Sequence, residues 1–464
     1  MSGFFRAVYL ELTTACGVLV FGLLGCSANP APTKTVAATP TPLVVATTPA
    51  PSSAAPAAPA PVVYPVMLGI DVLESQGFGA VKGKRVGLLT NPAGVNRRGE
   101  STIDVLRRAP GVKLVALYGP EHGIYGDEKA EVVIADRLDK RTGLPVYSLY
   151  AKDRKPRRGM LKGIDAMVVD LQDIGSRSYT YISAMKLTME ACFENNVEVI
   201  VLDRPNPLGG LKVDGPGLDK QWTSYVGAFR VPYVHGLTIA ELARMAKEAP
   251  GVLDISESTR ARGKLIIIPM RGWRRSMRWP DTGLTWVPTS PAIQDYASVE
   301  GYAMTGLGTY FDPARNFDIG FRHGIGTAYP FRGISHKSQK IDVVEKELRA
   351  LNLPGLQFRR VSGIDRNGKP AVGLYVEIND FDEWRPTELS FYLMKIACKL
   401  DPKNPFLPAP GRDFSGFLRH LGSEDFFRAL QRDGAKTDVA AYVTEWQRRT
   451  QIYQQQAKRF WLYY

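Results

Sequence analysis

The chain has 464 residues, 44% hydrophobic and 10% aromatic. That is enough for two or three domains around a substantial core, which excludes disorder along most of its length. The formal net charge of +13 favours an anionic partner, whether nucleic acid, a membrane surface or an acidic polymer, and does not choose among them.

The chain starts with Arg6 and an apolar stretch, Ala15 to Leu24, that ends in Leu23-Leu24-Gly25-Cys26. The stretch is well short of the roughly 20 residues of a membrane span, so residues 1–25 read as an export signal, with Glu11 an unusual acid inside it. The Leu-Leu-Gly-Cys ending is similar to a bacterial lipobox, which implies cleavage before Cys26 and acylation of that cysteine. Residues 26–64 are almost entirely Ala, Pro, Thr and Val, with Lys34 the only charge. Prolines this dense favour extended, solvated backbone, so the segment is expected to be a tether. The expected location is the bacterial envelope, lipid-anchored and facing the periplasm from the outer membrane, since Ser27 stands where inner-membrane retention in enteric-type bacteria is linked with aspartate. An exported chain makes nucleic acid an improbable partner.

Folding is expected to begin near Pro65. A strand at Arg85 to Thr90 ends in Asn91-Pro92-Ala93-Gly94 and leads to a helix, Ser101 to Arg108. Strands at 112–118, 166–170 and 197–202 alternate with helical segments, clearest at 183–195, which is the pattern of a parallel sheet with covering helices. Thr238 and Glu241 have capping-box spacing at the start of a helix that Pro250-Gly251 breaks. The expected domains are therefore 65–250 and 251–464. The second opens with a strand at Leu265 to Pro269 and an Arg/Trp-rich loop, 271–279. A helix follows at 341–351, then strands near 356–361 and 371–378 and helices to the end, a mixed α+β domain. Cys192 and Cys398 could pair in an oxidising compartment, but each sits in an amphipathic helical pattern where a buried free thiol is the simpler expectation.

Three of the strands stop at clusters of polar groups: Gly119-Pro120-Glu121-His122-Gly123, Asp170-Leu171-Gln172-Asp173-Ile174-Gly175-Ser176-Arg177 and Asp203-Arg204-Pro205-Asn206-Pro207. Ligands of open parallel sheets bind beyond the carboxyl ends of the strands, so these clusters are expected to converge. A dinucleotide cofactor is disfavoured because the first strand-to-helix turn lacks closely spaced glycines, and no cofactor is expected. There is no Gly-x-Ser-x-Gly elbow, and the five histidines lack metal-ligand spacing, although His122, Asp173 and His235 could meet across loops. Carboxylate acid/base chemistry remains. Hydrolysis of a glycosidic bond needs one carboxyl kept protonated by a less polar setting, and Glu121 suits that role. Competing structural roles exist: loop stabilisation for Glu121, backbone tethering for Asp170 and Asp203, salt bridging for Arg177 and Arg204, and core packing for Trp273 and Trp279.

At Val86-Gly87-Leu88-Leu89-Thr90-Asn91, the three clusters above (the second extended through Ser178-Tyr179-Thr180-Tyr181, the third through Leu208-Gly209-Gly210) and Thr282-Gly283-Leu284-Thr285-Trp286-Val287, the chain resembles the NamZ-type exo-β-N-acetylmuramidases. These glycoside hydrolases were long classed as a domain of unknown function. The resemblance implies an α/β fold, a Rossmann-like parallel-sheet domain followed by a smaller α+β auxiliary domain that completes the cleft. It also implies release of terminal N-acetylmuramic acid from peptidoglycan fragments, with Glu121 as catalytic residue. From the chemistry of such a substrate, His122 and Asp173 are expected to assist Glu121. Arg177 or Arg204 would hold the lactyl carboxylate, and Asn91, Gln172 and Asn206 would contact hydroxyls or the acetamide. Tyr181, Asp203 and Trp273 complete the expected substrate-binding set. The chain departs from the family where relatives carry Gly-Thr-Asn-x-Ser-Glu-Gly-Arg-Gly-Thr: here Gly308-Thr309-Tyr310-Phe311-Asp312 is followed by a different segment containing Asp318 and Arg322. Two other readings stay open, a catalytically silent peptidoglycan-binding lipoprotein and a metal-dependent deacetylase or amidase.

Overall fold

The computed structural model describes residues 65–126, 137–150, 153–365 and 367–464. The expected signal, the Cys26 lipidation site and the tether lie outside the described residues. Helix α1 (Gly69–Ser75) opens the fold, followed by β1 (Arg85–Thr90), α2 (Thr102–Arg108), β2 (Lys113–Gly119), β3 (Arg137–Leu138), β4 (Pro145–Ser148), β5 (Ala166–Asp170), α3 (Tyr181–Glu194), β6 (Glu198–Leu202), α4 (Ile239–Glu248), α5 (Glu257–Arg262) and β7 (Leu265–Ile268). The strands form one sheet in the order β3-β4-β2-β1-β5-β6-β7, parallel except for the β3 edge.

The two faces follow from the period of two along each strand. Val86, Leu88, Val168, Ile200 and Leu202 point into one core with α1 and α2, while Leu89, Met167, Val169, Val199 and Val201 point into a second core with α3 and α4. On that second face Gly87 makes room for a ring, since a Cβ there would stand 2.9 Å from Tyr118. The capping box at α4 forms as expected: the Thr238 side chain accepts from the Glu241 N–H, and the Glu241 carboxylate accepts from the Thr238 N–H. Strand β7 pairs with β6, so the sheet does not end at residue 250 but takes its last strand from beyond the expected boundary.

The rest of the chain contributes α6 (Tyr296–Thr305), a short β8 (Phe311–Asp312) and β9 (Phe317–Asp318) pair, and strands β10 (Phe321–His323), β11 (Gly333–His336), β12 (Leu356–Ile364) and β13 (Pro370–Ile378). These last four make an antiparallel sheet in the order β10-β11-β13-β12. Helices α7 (Ile341–Arg349), α8 (Glu388–Leu400), α9 (Ser415–Leu421), α10 (Asp425–Asp433) and α11 (Val439–Ala457) complete the α+β portion. Its aromatic core of Phe391, Phe406, Phe417, Phe426 and Trp446 is continuous with the α3/α4 face of the first sheet. The chain then returns to that sheet. Tyr463 donates from its hydroxyl to Asp203 at 2.5 Å and accepts from the Met270 N–H at 2.8 Å. Cys192 and Cys398 are both free thiols, and burial pushes each above its usual value.

Candidate active site

Strand β2 delivers its last residues into a tight reversal. His122 and Gly123 both adopt left-handed backbone, φ 71° and 73°, and the Gly123 N–H donates to the Pro120 carbonyl at 3.0 Å. A non-glycine residue in that region costs about 1 kcal/mol and persists where surrounding structure enforces it. The turn leaves Glu121 and His122 half-buried on the wall of a cleft of about 630 Å³. The Glu121 carboxylate accepts from the Thr180 hydroxyl at 2.9 Å, and the adjacent Tyr181 opens α3.

The wall is rich in tyrosine, with Tyr150, Tyr179, Tyr225, Tyr302 and Tyr310 contributing. Burial, reinforced by the nearby Glu121 charge, holds the phenols of Tyr181 and Tyr225 well above their ordinary value. They therefore remain neutral at physiological pH. Tyr179 packs edge-on against Tyr181 at 4.8 Å and Tyr302 at 5.9 Å, and its hydroxyl donates to Thr289 at 2.7 Å. Ser178 links Tyr233 and Tyr302 through its hydroxyl at 2.9 and 3.0 Å. A carboxylate set among such rings has a less polar surrounding than bulk water and a fixed orientation.

The second and third polar clusters meet each other rather than the cleft. Arg204 grips Asp170 with two bonds of 2.5 and 2.9 Å and spends a third on the Val95 carbonyl at 2.7 Å, leaving the residue 2% exposed. Asp170 also accepts from the Thr102 hydroxyl. The strand order reverses between β1 and β5, where an open α/β sheet would bind its ligand. The Asp170–Arg204 pair fills that point, and a recess of only about 280 Å³ remains beside it.

Several expected substrate contacts are thereby corrected. Arg177 is fully buried and donates to four backbone carbonyls, those of Pro216, Val231, His420 and Leu421. Burial pushes its pKa down to about 10, so it stays charged, with both terminal nitrogens occupied by backbone and away from the cleft. Asp203 accepts from Thr238, Tyr463 and the N–H groups of Ala240 and Arg204. Asn206 is used by Leu237 and Leu208. Gln172 donates to the carbonyls of Asp173 and Pro205 at 2.7 and 2.9 Å. Trp273 is buried edge-on against Tyr463. Most of these polar groups are taken up by backbone near the strand ends, although Arg177 Nε, Gln172 Oε1 and Trp273 Nε1 are buried without a protein partner among the described residues. Asp173 caps the Gly175 N–H at 2.8 Å and lies 3.3 Å from His235 Nε2. It is buried behind the wall and does not line the cleft. Asn91, also buried, stands beside the Tyr181 hydroxyl, which donates to the Glu121 carbonyl at 3.5 Å, and does not line the cleft.

The opposite contributions to the cleft come from residues that sequence reasoning missed. Asp312, Arg315 and Arg419 line it together with Arg154. Asp312 and Tyr310 belong to the segment where the chain departs from its family, the one signal that pointed here. Asp312 accepts from Tyr310 at 3.2 Å and pairs with Arg315 at 2.6 Å. Asp318 and Arg322 bond each other doubly at 2.8 Å, with Lys337 at 3.4 Å, and are not on the cleft wall. Among the described residues no group of three or more His, Cys, Asp or Glu is placed to share a metal.

Comparison with known proteins gives a consistent relationship. The family model described as exo-β-N-acetylmuramidase NamZ, N-terminal, matches residues 86–297, and its C-terminal counterpart matches 316–463. The peptidoglycan β-N-acetylmuramidase NamZ of Bacillus subtilis (strain 168) is 35% identical over 405 residues, covering 86% of this chain and 91% of that protein. Among solved structures, a DUF1343 family protein from Bacteroides fragilis NCTC 9343 superposes with TM-score 0.75 at 38% identity, covering 87% of this chain and all of the other. A second protein of that family and organism gives TM-score 0.66 at 26% identity, covering 86% and 99%.

Proposed function

The chain belongs to the NamZ family of exo-β-N-acetylmuramidases, and we propose that it removes terminal N-acetylmuramic acid from peptidoglycan fragments in the tyrosine-lined cleft, with Glu121 as general acid. The observation that carries this reading is Glu121 itself. It is a carboxyl presented at the end of a parallel strand, oriented by Thr180 and set among buried phenols. Such a carboxyl donates its proton to the glycosidic oxygen as the bond to the anomeric carbon breaks, and water completes the hydrolysis. His122, forced into left-handed backbone beside it, fixes the direction in which Glu121 leaves the turn.

The test uses the disaccharide with N-acetylmuramic acid at its non-reducing end and detects the free sugar by mass spectrometry. Glu121→Gln keeps the shape and the Thr180 contact but has no proton to give. Its rate should fall roughly 10²- to 10⁴-fold, the usual range for loss of general acid catalysis. Full activity in that variant refutes the assignment. Binding without release by the wild-type chain would favour the silent wall-binding alternative.

The Leu23-Leu24-Gly25-Cys26 ending and the Ala/Pro/Thr-rich residues 27–64 support an exported enzyme held at the bacterial envelope by a lipid on Cys26. Metabolic labelling with a fatty acid should mark the wild-type protein and not Cys26→Ala. Equal labelling of both would remove the anchor.

A further inference from the structure

The cleft wall carries three guanidinium groups, of Arg154, Arg315 and Arg419, against two carboxyl groups, of Glu121 and Asp312, so its cations outnumber its acids. Arg315 is already committed, with Nη1 on Asp312 at 2.6 Å and Nε on Asp413 at 3.2 Å. The Arg154 guanidinium lies over the Tyr225 ring, 4.4 Å from its centroid. Arg419 has no carboxylate partner among the described residues.

Arg419 is also the best positioned of the three. Gly416, Arg419 and His420 all line the cleft, and their spacing of three and four residues places them on one face of α9. That helix cannot roll. Arg177 donates to the carbonyls of His420 and Leu421 at 3.2 and 2.9 Å, while its other arm holds Pro216 and Val231. Gly422 closes the helix with φ 84°, and a side chain there would collide with the Arg177 guanidinium. The arginine expected to touch substrate thus anchors the helix that carries a different arginine to the cleft.

Resting on the functional reading above, we propose that Arg419 is the residue that recognises the lactyl carboxylate of N-acetylmuramic acid and so separates this sugar from N-acetylglucosamine, which lacks the lactyl group. A planar guanidinium with paired donors matches a carboxylate in two-point contact. The neighbouring His420 accepts no role as a rival cation, because burial lowers its pKa. Discrimination between the two sugars requires a charge in the cleft that no carboxylate among the described residues pairs; Arg154 and Arg419 both qualify, and Arg419, whose guanidinium is not stacked on a ring as that of Arg154 is on Tyr225, is the one assigned.

The experiment is calorimetric titration of the full chain with free N-acetylmuramic acid, with its lactyl methyl ester and with N-acetylglucosamine. Wild type should bind the acid more tightly than either neutral sugar. Arg419→Gln should weaken the acid about 10- to 100-fold, the range for losing a charged hydrogen bond, and change the ester little. Arg419→Lys should keep part of the preference. Equal weakening of acid and ester in Arg419→Gln, no acid preference in wild type, or a preference that disappears with Arg154→Gln and survives Arg419→Gln would each overturn the proposal. Binding is read without turnover. A chain that holds the acid through Arg419 yet cleaves nothing would refute the functional reading and leave this inference standing.

Discussion

Asp203, expected among the substrate contacts, is instead buried and hydrogen-bonded within the fold. Burial raises its carboxyl to about 7, with the Glu241 charge adding to the effect. A carboxyl whose folded value exceeds its unfolded value of about 3.9 binds its proton more tightly in the native state. Its contribution is complete below the unfolded value and is lost as pH rises through the folded one. Between about pH 4 and pH 7 this group should therefore lower stability with rising pH, by at most about 1.4 kcal/mol per unit. Denaturant melts across that window should slope downward in wild type and less so in Asp203→Asn, and equal slopes would contradict the assignment. Arg204 has the complementary role. Replacing it with methionine leaves Asp170 buried without its cation and should cost about 3 to 5 kcal/mol, read as a lowered urea midpoint. Sequence alone could not separate these uses, because an Asp at a strand end serves equally well as base, ligand or backbone acceptor. Glu121 stood out in the sequence because it lies between a strand end and glycine, and the structure puts it on the cleft wall. Arg419 did not, since an exposed arginine on an amphipathic helix looks like any solvated charge until the fold sets it beside the cleft.

At the level of elements, long apolar strands declared themselves. β1 and β5 occupy the residues expected for them, since continuous apolar runs buried on both faces leave little ambiguity. β3 and β4, two and four residues long, carry too few alternations to register. α9 is a seven-residue helix whose orientation comes from a partner 243 residues away in sequence, which no local pattern encodes. Gly422→Ala tests that lock. It forces a Cβ onto a left-handed backbone and against Arg177, so it should lower the melting temperature by about 1 to 3 °C, as expected for a loss of about 1 to 2 kcal/mol in a chain of this size. It should also weaken N-acetylmuramic acid binding while leaving Arg419 in the sequence. A variant with wild-type stability and binding would mean that α9 is held by other contacts.

On the scale of the molecule, the parallel sheet, its covering helices and the following α+β portion were all readable from the alternation of strand and helix patterns. Residue 250 was read as a division because Pro250-Gly251 ends α4. β7 nevertheless crosses back into the sheet, a pairing decided by tertiary contacts that a local break cannot reveal. The general rule for open sheets led to the expectation that the three polar clusters converge, yet two of them meet at the switch point, and the cleft that Glu121 lines lies apart from them at the end of β2.

The return of Tyr463 to Asp203 and Met270 bears on how the protein is made. A growing chain that has delivered every strand of the first sheet still lacks the phenol that satisfies its buried carboxyl and the Leu462 N–H that binds Glu241. Synthesis from the amino end leaves this corner open until Leu462 and Tyr463 have emerged, and a product cut short before them would present proteases with an unsealed sheet.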